Sequence, residues 1–236
     1  MEKFRRYGVY VVPGGALGGF GRDWLGWDLD AGLPVPHIAV EGLPKPLSDL
    51  TAIATPYGFH ATIKPPFRLA DRQTEADLRD AVAALAARHA PVRLDGLVLT
   101  DLDGFLVLTP LGDVPALHAL AATAVRDLDA FRAPASKAEL ARRRAHGLSA
   151  AQEANLIQWG YPYVMEEFGF HITLTGRLSR PEAAQVRAVL TPLLAPLLAP
   201  LLPPVVPAPF VVDQLALVGQ MENGRFRLIH RYPLSG

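Results

Sequence analysis

Two short stretches of the chain repeat one pattern of chemistry-bearing residues, Gly-Phe-His-x-Thr-x. The first copy contains His60 and Thr62, and the second contains His171 and Thr173. Every x position holds an apolar residue. Because side chains alternate between the two faces of an extended strand, each copy predicts a strand with histidine and threonine on one face and apolar residues on the other.

This combination of residues could cleave a phosphodiester bond without a metal ion. The reaction needs a base that activates water, an acid that protonates the leaving oxygen, and donors to the phosphoryl oxygens. Imidazole suits both proton roles, because its unperturbed pKa is about 6.5. A threonine two residues along the same face lies about 6–7 Å from its histidine, a spacing that lets a hydroxyl grip a phosphate held between two imidazoles. We therefore predict that both histidines and both threonines are catalytic.

Four further residues near the two copies are predicted to contact the substrate. Lys64 and Thr175 continue the histidine faces of the two strands. The ammonium group of Lys64 could offset the negative charge that develops at phosphorus. Tyr57 and Tyr163 flank the strands, where stacking on a base or sugar and packing in the core are equally good interpretations.

The segment between the two copies, 115–160, is predicted to be largely helical and contains a basic triplet, 142–144. Arg132 and the triplet, Arg143 in particular, could close over the site and bind the substrate. For the triplet itself, a solvated helix face is favoured over a phosphate contact.

Other kinds of site find less support. A single His-x-Thr strand is usually structural, so the prediction depends on the repeat. The sequence has no His-x-x-x-His pair and no cluster of histidines with carboxylates, so neither a metal nor another cofactor is predicted. It also lacks the Gly-x-Ser-x-Gly turn of a serine hydrolase. The other histidines have no motif around them and are interpreted as structural or surface residues: His37, His89, His118, His146 and His230.

The amino-acid composition argues against some classes of binding partner. The chain of 236 residues has 23 Lys and Arg against 23 Asp and Glu, so its formal net charge is zero. That balance gives no general attraction to long nucleic acid or to an anionic membrane. The lack of cysteine excludes a thiolate nucleophile and fits a reducing compartment, so we expect a soluble cytoplasmic protein. Prolines interrupt the most apolar stretch, Leu190–Val206, which is predicted to be a helix end and a Pro-rich connector.

Helix and turn signals give both halves of the chain the same order of elements. Thr74 caps a predicted helix that ends by Arg88, and a hairpin turn follows at 101–104. Ser179 begins a second helix, and Asn223-Gly224 marks a second hairpin. Each half therefore runs His-x-Thr strand, helix, hairpin. This duplication predicts a pseudo-two-fold arrangement that sets the two strands facing each other across a cleft.

We expect one domain over 1–236, with lobe one at about 50–112, a helical insertion at about 113–160 and lobe two at about 161–236. Ahead of lobe one, the glycine-rich segment Gly14–Gly21 is predicted to be a plain turn. It lacks the Gly-Lys-Ser/Thr ending of a phosphate-binding loop.

Several segments besides the two motifs form a recognisable set: Arg6-Tyr7, Trp24–Gly26, Lys64–Leu69, Phe131–Pro134, Glu139–Arg144, Trp159–Val164 and Gly176–Leu178. With this set, the chain resembles the 2H phosphoesterase superfamily, which includes the RNA ligase/cyclic phosphodiesterase group. The closer resemblance is to a bacterial branch found with phosphonate-degradation genes, the DUF1045 type.

The resemblance implies a bilobal α+β fold in which two antiparallel sheets line a central cleft, with helices outside. It implies that His60 and His171 form the acid/base pair, that Thr62 and Thr173 hold the phosphate, and that no metal is required. The expected enzyme is a metal-independent cyclic phosphodiesterase, a hydrolase acting on a small cyclic ribosyl or nucleotide phosphate. The phosphonate setting suggests a cyclic ribosyl phosphate from carbon–phosphorus bond breakdown.

The alternative is a non-catalytic module that binds a nucleotide or an RNA end. The oligomeric state and the choice of acid and base between the two histidines stay open.

Overall fold

The structure of the protein is a computed structural model that describes residues 4–145, 147–195 and 209–236. Two features discussed from sequence lie outside these ranges, namely His146 and most of the Pro-rich connector, 196–208.

Short strands alternate with helices along the described chain. The strands are β1 (Tyr7–Val11), β2 (Trp27–Asp28), β3 (Leu33–Pro34), β4 (Ala61–Phe67), β5 (Val92–Leu94), β6 (Leu97–Leu102), β7 (Phe105–Pro110), β8 (Ile172–Arg177), β9 (Phe210–Val212), β10 (Gln214–Gln220) and β11 (Phe226–Pro233). The helices are α1 (Gly15–Leu25), α2 (Leu47–Thr51), α3 (Glu75–Ala87), α4 (Pro115–Asp127), α5 (Lys137–Arg144), α6 (Ala150–Trp159) and α7 (Arg180–Leu194).

The main sheet has seven strands in the order β11-β10-β1-β4-β8-β7-β6, and its neighbouring strands are antiparallel. It consists of two well-paired parts, β11-β10-β1-β4 and β8-β7-β6. Within the described strands, one residue pair, Ala61 with Ile172, joins β4 to β8. The predicted α+β class with antiparallel strand pairing is confirmed, and the two parts of the main sheet meet edge to edge at the two His-x-Thr strands.

The strand pairing crosses the two halves of the sequence. The hairpin β6-β7 follows the first His-x-Thr strand in the chain but pairs with β8, the second one. The hairpin β10-β11 follows the second strand but pairs with β1, which in turn pairs with β4. The small sheet β5-β9 also joins the two halves. The lobe boundaries at 50–112, 113–160 and 161–236 stay a prediction, and each part of the sheet takes strands from both lobes.

The helices cover one face of the sheet, and the apolar residues of both motifs are buried there. Phe59, Ala61 and Ile63 from the first copy belong to the main core, together with Phe170, Ile172 and Leu174 from the second. Burying one large apolar side chain contributes about 1.5–3 kcal/mol, so these residues fix which face of each strand points inward. The opposite face is left for the histidines and threonines, as the alternation predicts.

Helix α3 begins at the predicted cap. The Thr74 side chain accepts from Asp77 N, and the Asp77 carboxylate accepts from Thr74 N. Helix α7 begins after Ser179 with a matching capping box to Glu182. Each box satisfies backbone N–H groups that the first helical turn leaves without partners. Both helices predicted to follow the His-x-Thr strands are therefore present. Among the described helices, none is long and apolar enough to span a membrane.

The prediction of a plain turn at Gly14–Gly21 is wrong, because helix α1 begins at Gly15. The glycines let this helix pack closely. A Cβ atom on Gly21 would overlap the ring of Phe59, the residue before His60. Helix α1 is further tied to the second strand by Trp24, whose indole N–H donates to Leu174 O at 2.8 Å. Tertiary packing here outweighs the poor helix propensity of glycine.

Candidate active site

The register of β4 and β8 brings the two motifs together. Ala61 lies opposite Ile172, and both are fully buried on the helix side. In an antiparallel pair this register places His60 beside Thr173 and Thr62 beside His171, on the face away from the helices. Directly opposite residues have Cβ atoms about 4.5–5.5 Å apart. The four predicted catalytic side chains therefore form one cluster, related by an approximate two-fold axis between Ala61 and Ile172.

A hydrogen bond to the backbone orients both imidazoles in the same way. A 3-10 turn, Thr55–Tyr57 or Met165–Glu167, precedes each motif. The Nδ1 atom of each histidine lies 2.8 Å from the carbonyl oxygen two residues earlier, on Gly58 or Gly169. Because a carbonyl can only accept, Nδ1 carries the proton in both rings. When either ring is neutral, Nε2 is thus the nitrogen that can accept a proton.

His60 is enclosed by aromatic rings. Its imidazole stacks on the buried ring of Tyr10, with centroids 3.7 Å apart and planes inclined by 21°. The Tyr57 ring lies 6.4 Å away. Burial, opposed by the hydrogen bond to Gly58 and assisted by the charge of the nearby His171, lowers the pKa of His60 to about 4. His60 is neutral near pH 7, and its Nε2 accepts from the Thr62 hydroxyl at 3.2 Å.

His171 has a more open setting. Its side chain is partly exposed, and the hydrogen bond to Gly169 lies at the surface. Within the described ranges, no aromatic ring lies against His171, in contrast to the Tyr10 stack on His60. Thr173 is also partly exposed. The two imidazoles share a site and a tautomer but differ in their access to water.

Lys64 does not share the histidine face. A β-bulge interrupts the pairing of β4 with β1, since Tyr10 is opposite Thr62 but Val9 is opposite Lys64. The extra residue turns the Lys64 side chain towards the helices. There it is 2% exposed, and Nζ donates to Val125 O at 3.0 Å and lies 3.8 Å from Asp129. Burial lowers the pKa of Lys64 to about 8. The bulge thus moves this predicted substrate contact away from the site.

Thr175 is likewise placed within the sheet. The pairing of β8 with β7 slips between Thr173 and Arg177, where Val107 and Phe105 are their partners. The Thr175 hydroxyl is fully buried and accepts from Leu106 N at 3.0 Å, in the stretch where the ladder is interrupted. The Thr175 hydroxyl therefore bonds to the backbone of β7 and is not available on the face that carries His171.

The two tyrosines predicted to contact the substrate differ in how close they lie to His60. Tyr57 is partly buried, near His60, and stacks on Phe226 with centroids 5.3 Å apart. Tyr163 is 46% exposed and makes an edge contact of 5.8 Å with Tyr161. Tyr57 therefore belongs to the wall beside His60, and Tyr163 lies further out.

The two predicted arginines border a small cavity of about 50 Å³. Arg132 donates two hydrogen bonds to the Asp129 carboxylate and one to Gln158 O. The guanidinium of Arg143 lies over the ring of Tyr161, 4.4 Å from its centroid. The structure groups these arginines with each other instead of placing them against the imidazoles.

Sequence reasoning missed Tyr10, which lies beneath His60, and the role of Tyr161 as the ring under Arg143. Tyr10 has no motif, and its role becomes visible only once β1 is known to pair with β4. The other described histidines lie in structural or surface positions, as predicted: His37 and His89 bond to backbone carbonyls, and His118 and His230 make edge contacts with rings. The described residues include no group of three or more His, Cys, Asp or Glu that could hold a metal.

The fold and the cluster define an α+β protein with two His-x-Thr strands joined at one sheet position. The chain belongs to the DUF1045 family, whose model, described as "Protein of unknown function (DUF1045)", matches residues 62–227. The resemblance to this branch is therefore confirmed.

The chain is similar to a curated protein and to two solved structures. Ribose 1,5-bisphosphate phosphokinase PhnN of Janthinobacterium sp. (strain Marseille) is 35% identical over 100% of this chain and 52% of its own length. The chain spans about half the length, or less, of the curated relatives it matches. The structure of TT0787 of Thermus thermophilus has 16% identity and a TM-score of 0.45, over 98% of both chains. E. coli LigT complexed with 3′-AMP has 14% identity and a TM-score of 0.44, over 99% of this chain and 100% of LigT.

Proposed function

We propose that the protein is a phosphoesterase that hydrolyses a small cyclic phosphate by two-histidine acid/base catalysis. The observation that carries this proposal is the register at Ala61 and Ile172, which sets each histidine beside the threonine of the other motif. Two Nε2 atoms and two hydroxyl groups can then face one tetrahedral anion. A site of this kind supplies both proton transfers and donors to the phosphoryl oxygens.

The surroundings of the two imidazoles suggest which one is the base. His60 is neutral near pH 7 because burial lowers its pKa to about 4. A neutral imidazole with Nδ1 protonated can take a proton at Nε2, so we assign His60 as the general base. His171 is assigned as the general acid, because it is the second imidazole of the cluster and lies across the proposed anion from His60. Environments that separate two titratable groups in this way define acid and base roles.

The chemical step follows from these roles. Water attacks phosphorus, and His60 Nε2 takes a proton from that water as the new P–O bond forms. The bond from phosphorus to one ring oxygen breaks, and His171 Nε2 gives its proton to the departing sugar oxygen. Thr62 and Thr173 donate their hydroxyl protons to the non-bridging oxygens, where charge develops. The product is an open phosphomonoester, and the two histidines exchange protons with solvent before the next turnover.

A ribosyl substrate is supported by the curated relatives. Their name, ribose 1,5-bisphosphate phosphokinase PhnN, refers to a ribose that carries phosphate. The matched family is the one that sequence reasoning associated with phosphonate degradation. We therefore propose a cyclic ribosyl phosphate as substrate, in a cytoplasmic phosphonate-degrading route.

The test is turnover of a panel of cyclic phosphates: ribose 1,2-cyclic phosphate, 2′,3′-cyclic AMP and ADP-ribose cyclic phosphate, each with and without EDTA. We expect at least one to be opened in the presence of EDTA. The variants His60→Ala and His171→Ala should each lower kcat by about 10²–10⁴-fold while the thermal unfolding transition is retained. Binding without turnover would favour a non-catalytic binding module, and turnover that EDTA abolishes would favour a metal enzyme. Either result would overturn the proposal.

A further inference from the structure

We propose that the cavity lined by arginines holds a second phosphate group of the substrate, so that the enzyme acts on a cyclic phosphate whose sugar also carries a phosphomonoester. This inference rests on the proposed function and specifies its substrate. The charged residues that line the cavity are Arg6, Arg68, Arg132, Glu139, Arg142 and Arg143. We call this group the arginine pocket.

The arginine pocket concentrates positive charge in a chain that is neutral overall. Its lining has five arginines and one glutamate, whereas the whole chain has 23 basic and 23 acidic residues. Glu139 is already engaged, because it accepts from Ser136 N and forms an ion pair with Arg68. This engagement leaves a local excess of guanidinium groups. A local excess of one sign attracts and holds a ligand of the opposite sign even where the net charge is zero.

Three of the arginines have no carboxylate partner among the described residues. Arg6 Nε donates to the neutral side chain of Gln220, and Arg143 lies over the ring of Tyr161. Arg142 is exposed, and the described chain contains no ion pair with it. Arg132, which pairs with Asp129, completes the wall. Guanidinium groups present forked donors that match the oxygens of a phosphate group, and bonds of this charged kind are stronger than neutral ones.

The size of the pocket suits one compact anion. Its volume of about 50 Å³ is on the scale of a single phosphate group. The lining includes the side of Gly160, where a Cβ atom would lie 2.8 Å from Arg132. Glycine at this position keeps room for the guanidinium.

The arginine pocket and the histidine cluster lie on the same face of β1. Arg6 directly precedes β1, and its carbonyl accepts from Gln220 N, which continues the ladder. Side chains four residues apart in a strand point the same way and lie about 13 Å apart along it, so Arg6 and Tyr10 share a face. Tyr10 carries the His60 ring. Gly8 lies between Arg6 and Tyr10 and places no side chain between them.

A row of aromatic residues connects the two sites. The hydroxyl of Tyr10 is buried and has no hydrogen-bond partner within the described part of the chain. The guanidinium of Arg6 lies 5.7 Å from the centre of the Phe226 ring, and the ring centres of Phe226 and Tyr10 are 6.1 Å apart. Arg143 covers Tyr161. A buried hydroxyl without a partner costs about 1–3 kcal/mol, so that of Tyr10 marks a strained position in the wall between the two sites.

These observations specify a sugar with phosphate at two positions. The cyclic diester lies between the imidazoles, the sugar spans the distance between the two sites, and the phosphomonoester enters the arginine pocket. A reaction that supplies this substrate must leave a cyclic phosphate on a sugar already phosphorylated elsewhere. A reaction that consumes the product must accept a sugar bisphosphate.

The experiment compares one pair of substrates, ribose 1,2-cyclic phosphate with and without a 5-phosphate. We expect the 5-phosphorylated compound to have a kcat/KM about 10²-fold or more higher, since it adds several charge-assisted hydrogen bonds. The double variant Arg142→Gln/Arg143→Gln should reduce that preference about tenfold or more, mainly through KM. Arg144→Gln is the matched control, because Arg144 is on the same helix but pairs with Glu153 outside the pocket. It should keep the preference of the wild type.

A binding measurement separates this inference from the proposed activity. Ribose 5-phosphate and ribose are titrated calorimetrically into the wild type and the double variant. We expect ribose 5-phosphate to bind the wild type and to lose affinity about tenfold or more in the double variant. If no cyclic phosphate is turned over but this pattern holds, the proposed activity fails and the pocket stands. Equal kcat/KM for the two cyclic substrates, or equal binding of ribose 5-phosphate to both proteins, would overturn the pocket assignment.

Discussion

The two His-x-Thr strands share a backbone design and differ in what surrounds the imidazole. In both, Nδ1 donates to the carbonyl oxygen two residues earlier. His60 then stacks on the buried ring of Tyr10. His171 is bordered by no such ring in the described ranges, and its hydrogen bond lies at the surface. One motif thus gives a neutral imidazole packed against an aromatic ring in one copy and an imidazole without such a ring in the other.

The two copies of a duplicated unit can thus acquire different roles, one as proton donor and one as proton acceptor. Two identical sites related by symmetry would titrate together and could not divide proton donation from proton acceptance. Here the packing of β1 against β4 adds Tyr10 to one copy, while β8 has β7 as its other neighbour. The acid/base division that we propose therefore originates in the neighbouring strands, outside the repeated sequence.

The largest expected effect is on kcat. It should differ between the two histidine variants according to whether the leaving group of the substrate needs a proton. With a cyclic ribosyl phosphate, His171→Ala should lose about 10²–10⁴-fold in kcat, because the sugar oxygen leaves only with a proton. With bis(4-nitrophenyl) phosphate, whose leaving group needs no proton, His171→Ala should lose less than about tenfold. His60→Ala should be impaired on both substrates. Rates of both variants on both substrates decide this, and the reverse pattern would exchange the assigned roles.

Removing the ring beneath His60 should make the two copies more alike. In the variant Tyr10→Leu, water reaches His60 and its pKa rises from about 4 towards the ordinary value. The pH at which kcat/KM falls on the acidic side of the profile, its acidic limb, should then rise by about one pH unit or more. Tyr10→Phe keeps the ring and should leave the limb in place. A limb that does not move in Tyr10→Leu would show that another group is the base.

The same depressed pKa predicts a pH dependence of stability in the wild type. The unfolded chain protonates His60 at about pH 6.5, whereas the folded chain resists protonation down to about 4. The free energy of unfolding should therefore fall as the pH drops through this window. Tyr10→Leu should flatten this part of the profile, as denaturant unfolding at several pH values can establish.

A smaller effect is expected at the support of the first strand. Gly21→Ala forces a Cβ atom into the Phe59 ring, so we expect a loss of about 1–3 kcal/mol in the free energy of unfolding. A shift of Phe59 also displaces His60 and should lower kcat. Gly19→Ala, on the same helix, meets nothing within 4 Å and should instead gain about 0.5–1 kcal/mol. Unfolding by urea measures both, and equal stability of the two variants would contradict the close contact.

The smallest effect is expected at Lys64. Because its ammonium lies among the helices, Lys64→Met should change kcat/KM by less than about threefold. The substitution leaves Val125 O without its donor, so the free energy of unfolding should fall, while Asp129 keeps its ion pair with Arg132. Steady-state kinetics on the cyclic substrate provides the check. A loss of orders of magnitude would return Lys64 to the site and make the first strand, not the second, the centre of charge stabilisation.

Much of the fold could be predicted from local signals. The caps at Thr74 and Ser179 and the hairpin turns at 101–104 and Asn223-Gly224 depend on short-range chemistry, so the helices and hairpins follow from the sequence. The buried faces of the two motifs follow from alternation. The helix at Gly15–Leu25 was missed because its glycines are explained by a long-range contact, the ring of Phe59 against Gly21.

The site was predictable as far as the strands stay regular. His60 and Thr62 precede the bulge in β4, and His171 and Thr173 precede the slip in β8, so alternation gives their face correctly. Lys64 and Thr175 lie past these interruptions, where a count of residues no longer gives the face. The partner hairpins of the two strands are exchanged between the halves, so Tyr10 and the arginine pocket were beyond the reach of sequence spacing.

The exchanged hairpins also set the order in which the protein can assemble during synthesis. Tyr7 in β1 pairs with Gly219 in β10, so this part of the sheet forms only after more than two hundred further residues have been synthesised. Such non-local contacts delay folding, because loop closure precedes any gain from pairing. While the chain is still emerging from the ribosome, β1 and β4 lack β10 and β11, which later pack beside Tyr10. The wall behind His60 is therefore completed only after β10 and β11 have been synthesised.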